Sequence, residues 1–182
     1  MKILIRNNLA GSCILETEPK VWDSIVIVDP GVRESNFVTE NSLRSLVLRF
    51  HDVIFGRGLM RPPTVSDVAE SLKFAENAEN LLVVCRAGQS RSAALAFAIA
   101  YQHIGREYAE QLLDPKRHSP NQLILELAAG LIDDGAFTDT YQKWYTDNSG
   151  ISLTNHLDEL ECEYAELESA GFTNRILVHR TI

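Results

Sequence analysis

The stretch Val83-Val84-Cys85-Arg86-Ala87-Gly88-Gln89-Ser90-Arg91-Ser92 decides how this 182-residue chain is read. It begins as an apolar run, breaks into a loop of small residues, and restarts as the Ala-rich segment Ala93 to Ala100. Strand, tight turn and helix in that order set a thiol, Cys85, and a guanidinium, Arg91, at the two ends of one turn. Successive backbone N–H groups of such a loop converge on an anion, and the helix beginning near Arg91 aims its positive dipole end at the same point. Gly88 lets the turn close with no Cβ in the way.

These residue types suit a phosphate cradle with a nucleophile at its base. The thiolate, not the thiol, attacks, so an attacking cysteine needs positive potential around it. Arg91, the loop amides and the helix end can supply that potential. Arg91 can also hold two phosphoryl oxygens bidentately, which a lysine cannot. The Ser92 hydroxyl is close enough in sequence to donate to the sulfur when a covalent intermediate breaks down. The expected phosphate-binding set is therefore Arg86, Ala87, Gly88, Gln89, Ser90 and Arg91. A cysteine ending a buried strand is ordinarily a small hydrophobe; the joint spacing of Cys85, Gly88, Arg91 and Ser92 sets this one apart.

The run Cys85-Arg86-Ala87-Gly88-Gln89-Ser90-Arg91-Ser92 resembles the C-x5-R-[ST] signature of the cysteine-dependent protein tyrosine and dual-specificity phosphatases, most of all the small bacterial type. The resemblance covers about residues 45 to 130. It implies an α/β fold with a central, mostly parallel sheet flanked by helices on both faces. It also implies hydrolysis of a phosphate monoester through a phosphocysteine, with no metal and no other cofactor. The implied partner is a phosphorylated protein or a small phosphorylated substrate. One position departs: the family commonly has His before the nucleophile, and Val84 stands here.

Along the chain, Lys2 to Arg6 reads as a first strand, ended by the turn formers of Asn7 to Ser12. Ser24 to Val28, stopped by Asp29-Pro30-Gly31, suits a strand buried on both faces. Leu46 to Phe50 and Leu81 to Val84 are further runs, and Arg175 to Thr181 could add an edge strand, for a sheet of about four to five strands. His51-Asp52 falls where the third strand should open into a loop. Ligands of open α/β sheets gather at the carboxyl ends of the strands, so Asp52 and Cys85 should emerge on one edge.

Phosphoryl transfer from an ester needs a proton for the leaving oxygen, and a carboxylic acid beside the cradle can deliver it. Asp52 is the candidate, and its separation from Cys85 is close to that at which the resembling dual-specificity branch places its general acid. Asp67 is the weaker candidate and reads better as a charge near a helix N-terminus; His51 reads as packing or surface. Gly56 to Pro63 is a candidate rim, with Arg57 and Arg61 available to substrate anions.

Thr64 or Ser66 can cap a helix to about Ala78. The segment Ser92 to His103 has no polar face, so its helix should be buried all round. Gly105 ends it, Glu107 to Leu113 makes a short helix, and Ser119-Pro120-Asn121 starts another to about Leu131 with proline in its first turn. A Pro-Asn pair at this point recurs in the resembling family, which implies a supporting role for the loop.

Residues 1–132 read as a phosphatase-like domain and 133–182 as an acidic, mainly helical extension packed on it. The net charge of −8 sits largely in that extension, which carries 10 Asp and Glu against 3 Lys and Arg. Helices are expected over Thr138 to Thr146 and Asn155 to Ser169, the second with Leu157, Leu160, Tyr164 and Leu167 on one face. An acidic balance sets aside nucleic acid and anionic membranes as partners. Cys13, Cys85 and Cys162 form no C-x-x-C pair, so neither a zinc site nor a disulfide framework is indicated, and a reducing cytoplasm is expected. The apolar start is too short for a signal peptide, and no stretch approaches a membrane span. A cysteine-dependent phosphatase is the first expectation. The alternatives are a phosphate-binding module with weak chemistry and a phosphatase of a phosphoinositide or small phosphate ester.

Overall fold

Four apolar runs pair into one sheet: Lys2–Arg6 (β1), Asp23–Val28 (β2), Ser45–Arg49 (β3) and Asn80–Val84 (β4). The computed structural model describes residues 1–33, 35–56, 58–150 and 154–177. The strand order is β1-β4-β2-β3 and every neighbouring pair is parallel, so all four carboxyl ends share one edge. The strand carrying Cys85 is therefore interior, between β1 and β2. All six residues of β2 are buried, as a continuous β-branched run covered on both faces requires.

Helices cover both faces. Asn8–Thr17 (α1) and Asn36–Asn41 (α2) lie on one, where Leu15, Trp22, Phe37 and Val38 meet Val26, Val28, Leu82 and Val84. On the other lie Val65–Ala75 (α3), Arg91–His103 (α4), Arg106–Leu112 (α5), Gln122–Ile132 (α6) and Gly135–Asn148 (α7), whose apolar residues join the larger core. Thr154–Ser169 (α8) packs against α1. The crossover helices α1 and α2 share one face and α3, which joins β3 to β4, lies on the other, as right-handed connections demand when the chain reverses direction across the sheet.

The α4 helix is buried as its sequence requires: every residue from Ser92 to Ala100 is fully covered. Its alanines admit the sheet closely, and Phe97 fills the space beyond, its ring 5.8 Å from that of Phe137 on α7. Burying one such ring contributes about 1.5–3 kcal/mol. Thr64 caps α3 through a capping box with Asp67, worth about 1 kcal/mol. That helix ends at Ala75, one turn short of Ala78.

Two expectations are corrected and one helix was not foreseen. Asn7 to Ser12 forms no turn: Asn7 is the N-cap of α1, its Oδ1 accepting from the Ala10 N–H at 2.8 Å, and Ser12 bonds back to the Asn8 carbonyl at 2.8 Å. The turn-forming residues there serve a cap and close packing instead. Pro120 is not in the first turn of α6, because Asn121 is the N-cap and the helix starts at Gln122. The α2 helix falls in a segment with no strong periodicity, and the sequence reading passed over it.

Of the expected C-terminal strand, Ile176 is buried in the smaller core and its carbonyl accepts from the Ser35 N–H at 2.8 Å. Residues 178–182 lie outside the described residues, as does Arg57. Among the described residues no helix is long and apolar enough to cross a membrane.

Candidate active site

The β4 strand ends at Val84 and α4 begins at Arg91, so Cys85 to Ser90 is the whole connection. Two contacts shape it. Gly88 has φ +68°, and a Cβ there would lie 2.7 Å from both the Arg6 carbonyl carbon and the Asn7 nitrogen. Only glycine fits that approach to the end of β1. On the opposite side, the Ser119 and Asn121 N–H groups donate to the Gln89 and Ser90 carbonyls at 3.1 and 3.2 Å, tying the loop to the entry of α6.

Val84 and Cys85 point to opposite faces of the sheet, as successive strand residues do. Val84 enters the smaller core beside Gly11 of α1, where an added Cβ would come within 2.9 Å of the valine side chain. The residue before the cysteine is thus packed as core. Cys85 is 2% exposed, and its Sγ lies 3.0 Å from the Ser92 Oγ.

Arg91 is 4% exposed and held by the ends of two strands. Its Nη1 donates to Asp29 Oδ1 at 2.6 Å, just past β2, and to the Phe50 carbonyl at 2.8 Å, just past β3. Its Nε is buried, lies 3.9 Å from Asp52 Oδ2, and has no hydrogen-bond partner among the described residues. A buried guanidinium N–H without a partner is costly. The clamp at Nη1 fixes the plane of the group and leaves the Nε edge as a donor in the cleft.

Asp52 does emerge on the same edge. Its Oδ1 accepts from Ser90 Oγ and from Asn121 Nδ2, both at 2.8 Å, which leaves Oδ2 turned toward the cleft. Cys85, Arg86, Ala87, Gln89, Ser90 and Arg91 from the loop, with Asp29, His51 and Asp52 from the strand ends, line one cavity of about 280 Å³. Gly88 is turned away from it toward β1, and the Ser90 hydroxyl is spent on Asp52.

The other candidates are placed elsewhere. Asp67 serves the α3 capping box and accepts from Arg61 Nη2 at 3.0 Å, so it is no second acid in the cleft. Arg61 is correspondingly corrected: it also donates to the Arg49 carbonyl and is folded back on the scaffold rather than offered to an anion. His51 Nδ1 accepts from the Arg61 N–H at 2.9 Å, a loop-shaping role.

Two residues at the site were missed or understated by sequence reasoning. Asp29 belongs to no motif; its signal is its place directly after the most buried strand, on the edge where ligands collect. Asn121 positions Asp52 and also caps α6, accepting from the Ile124 N–H at 3.2 Å. Behind the loop, Tyr164 of α8 donates to the Arg86 carbonyl at 3.3 Å, and burial pushes its phenol above the usual range. Glu163 accepts from Asn7 Nδ2 and Arg117 Nη2, both at 2.9 Å, so α8 is fastened beside the cradle.

Neither a protein-family model nor a curated protein matches the chain. Among solved structures it is similar to PTPMT1 in a crystal structure in complex with PI(5)P, at 15% identity and a TM-score of 0.52, covering 77% of this chain and 94% of that one. The likeness is one of fold: a similar α/β architecture is built from a largely different sequence.

Proposed function

We propose that the protein is a phosphate monoester hydrolase of the protein tyrosine and dual-specificity type, working through a phosphocysteine at Cys85. The observation that carries this reading is the buried Nε of Arg91, which has no hydrogen-bond partner among the described residues, lies 3.9 Å from Asp52 Oδ2, and belongs to a residue lining the same cavity as Cys85. An incoming phosphoryl group supplies the missing acceptors. The fold shared with PTPMT1, solved with the phosphate-bearing ligand PI(5)P, is consistent with it.

The Cys85 sulfur attacks phosphorus while Arg91 Nε and the loop N–H groups hold the equatorial oxygens. Asp52, through Oδ2, the oxygen that Ser90 and Asn121 do not engage, protonates the leaving oxygen, and the alcohol departs. Water then attacks the phosphocysteine, Asp52 takes its proton, and Ser92 Oγ stabilises the departing thiolate across 3.0 Å. In this reading residues 1–132 carry the chemistry and the acidic extension 133–182 packs on them. The substrate is a phosphorylated protein or small molecule.

Cys85→Ser is the test. Turnover of an aryl phosphate is expected to vanish while inorganic phosphate still binds; undiminished hydrolysis by that variant would remove the proposal. The substitution is nearly isosteric, so retained folding is checked by an unchanged thermal midpoint.

A further inference from the structure

Beside the cradle, on the Asp52 side, opens a second and larger cavity of about 520 Å³. It shares Asp52, Val53, Met60 and Ser90 with the cradle cavity, so the two form one continuous cleft. Its further walls are Ile54 and Phe55 from the loop after β3, Tyr145 from α7, and Pro120 at the entry of α6, where Ser119, Asn121 and Gln122 add a polar strip. Its size is in the range of small-molecule sites. Among the described residues lining it, Asp52 is the single charged one. The Tyr145 hydroxyl donates to the Pro120 carbonyl, and burial pushes its phenol well above the usual range, so the ring is a neutral wall with its polar end already satisfied.

The chemistry fixes what enters that space. In-line attack by the Cys85 sulfur puts the leaving oxygen on the far side of phosphorus, next to the acid that protonates it. With Asp52 as that acid, the group attached to the oxygen continues past Asp52, into the larger cavity. A second phosphate or a carboxylate there would meet Asp52 and no described cation. A peptide backbone would bring donors and acceptors. The polar wall residues are already engaged, Ser90 with Asp52, Asn121 with Asp52 and the Ile124 N–H, and Gln122 with Glu126, so most of the backbone's groups would go unmet, at a cost. A hydrocarbon or aromatic group loses only its contact with water.

The geometry points to a leaving-group subsite: the chamber walled by Val53, Ile54, Phe55, Met60, Pro120 and Tyr145 takes the apolar alcohol or phenol portion of a phosphate monoester. This rests on the phosphatase reading above. The balance is that of simple ester hydrolysis: the S–P bond forms as the P–O bond breaks, and the Asp52 proton passes to the leaving oxygen. The apolar alcohol is released first; water then cleaves the S–P bond and phosphate follows. The same chemistry is offered by a free ester and by a single-chain lipid phosphate.

The probes are ethyl-, butyl-, hexyl- and octylphosphonate, titrated calorimetrically into the Cys85→Ser protein beside inorganic phosphate. Each methylene that enters the chamber should tighten binding about three- to fourfold, and Ile54→Asp, on the half-exposed rim, should weaken octylphosphonate at least tenfold. Affinity independent of chain length, with phosphate still bound, overturns the subsite and leaves the cradle standing. Failure of phosphate and of every phosphonate to bind overturns the cradle itself. With the native enzyme, hydrolysis of octyl phosphate in solution assigns a free ester, and hydrolysis confined to hexadecyl phosphate in phosphatidylcholine vesicles assigns the lipid. Preference for an acidic phosphopeptide over both contradicts the inference.

Discussion

Cys85, Arg91 and Ser92, at the floor of the cleft, are 2, 4 and 0% exposed, whereas Ile54, Phe55, Leu59 and Met60, on its rim, are 54, 50, 101 and 50% exposed. The floor is anchored by three strand ends and a helix with no solvent face; the rim is a loop that leaves β3 and returns at the prolines before α3. On the proposed function, the difference matches what each region would do. Electrostatic stabilisation of a transferring phosphoryl group requires donors fixed before the substrate arrives, and burial fixes them. Recognition of an apolar leaving group requires hydrocarbon that is still in contact with water, so that binding removes it.

Substitutions in the two regions should therefore differ in kind. The largest effect short of removing the sulfur is expected at Asp52, where floor and rim meet. Asp52→Ala should lower kcat by about 10²- to 10⁴-fold, with alkyl phosphates hit harder than p-nitrophenyl phosphate, whose leaving group needs no proton. Equal losses on both substrates would move the acid role elsewhere. Next is Arg91→Lys, which keeps the charge but gives up the fork held by Asp29 and Phe50. Losing one preorganised donor costs about 10²- to 10³-fold, read as kcat/KM on an aryl phosphate.

Gly88→Ala probes the anchoring without touching the cavity. A Cβ at φ +68°, 2.7 Å from the end of β1, must displace the loop. A shift of about 1 Å in a positioned group costs roughly 10²-fold in rate, and the left-handed backbone adds about 1–2 kcal/mol of destabilisation. A Gly88→Ala protein with native rate and melting temperature would show that the loop is not held as described. At the other extreme, Leu59→Ser on the exposed rim should change stability by less than about 0.5 kcal/mol, measured by urea titration. A larger loss would mean that the rim is part of the core.

Much of the floor was legible because its requirements are local. A tight loop between a buried strand and a buried helix, whose middle glycine meets the end of β1 and whose ends carry a thiol and a guanidinium, shows in ten consecutive residues. The buried helix α4 was equally plain, since it has no polar face to hide. What was not legible depended on partners distant in sequence. Asp29 acquires its role only when β2 and α4 meet 62 positions apart. Arg61, with its cation near the cleft in sequence, proved to be committed to Asp67. Asn7 to Ser12 carried turn formers that could equally cap a helix, and only the packing of Gly11 against Val84 decides between them. The apolar chamber is assembled from the rim, the α6 entry and α7, so no window of sequence contains it.

The most direct test is to mix the enzyme with an activated aryl phosphate, quench it in acid within one turnover, and map the modified peptide by mass spectrometry. The account expects a phosphoryl group on the peptide carrying Cys85, appearing with the burst of phenol and absent from Cys85→Ser. A burst with the phosphoryl group on another residue, or steady hydrolysis by Cys85→Ser, would contradict it.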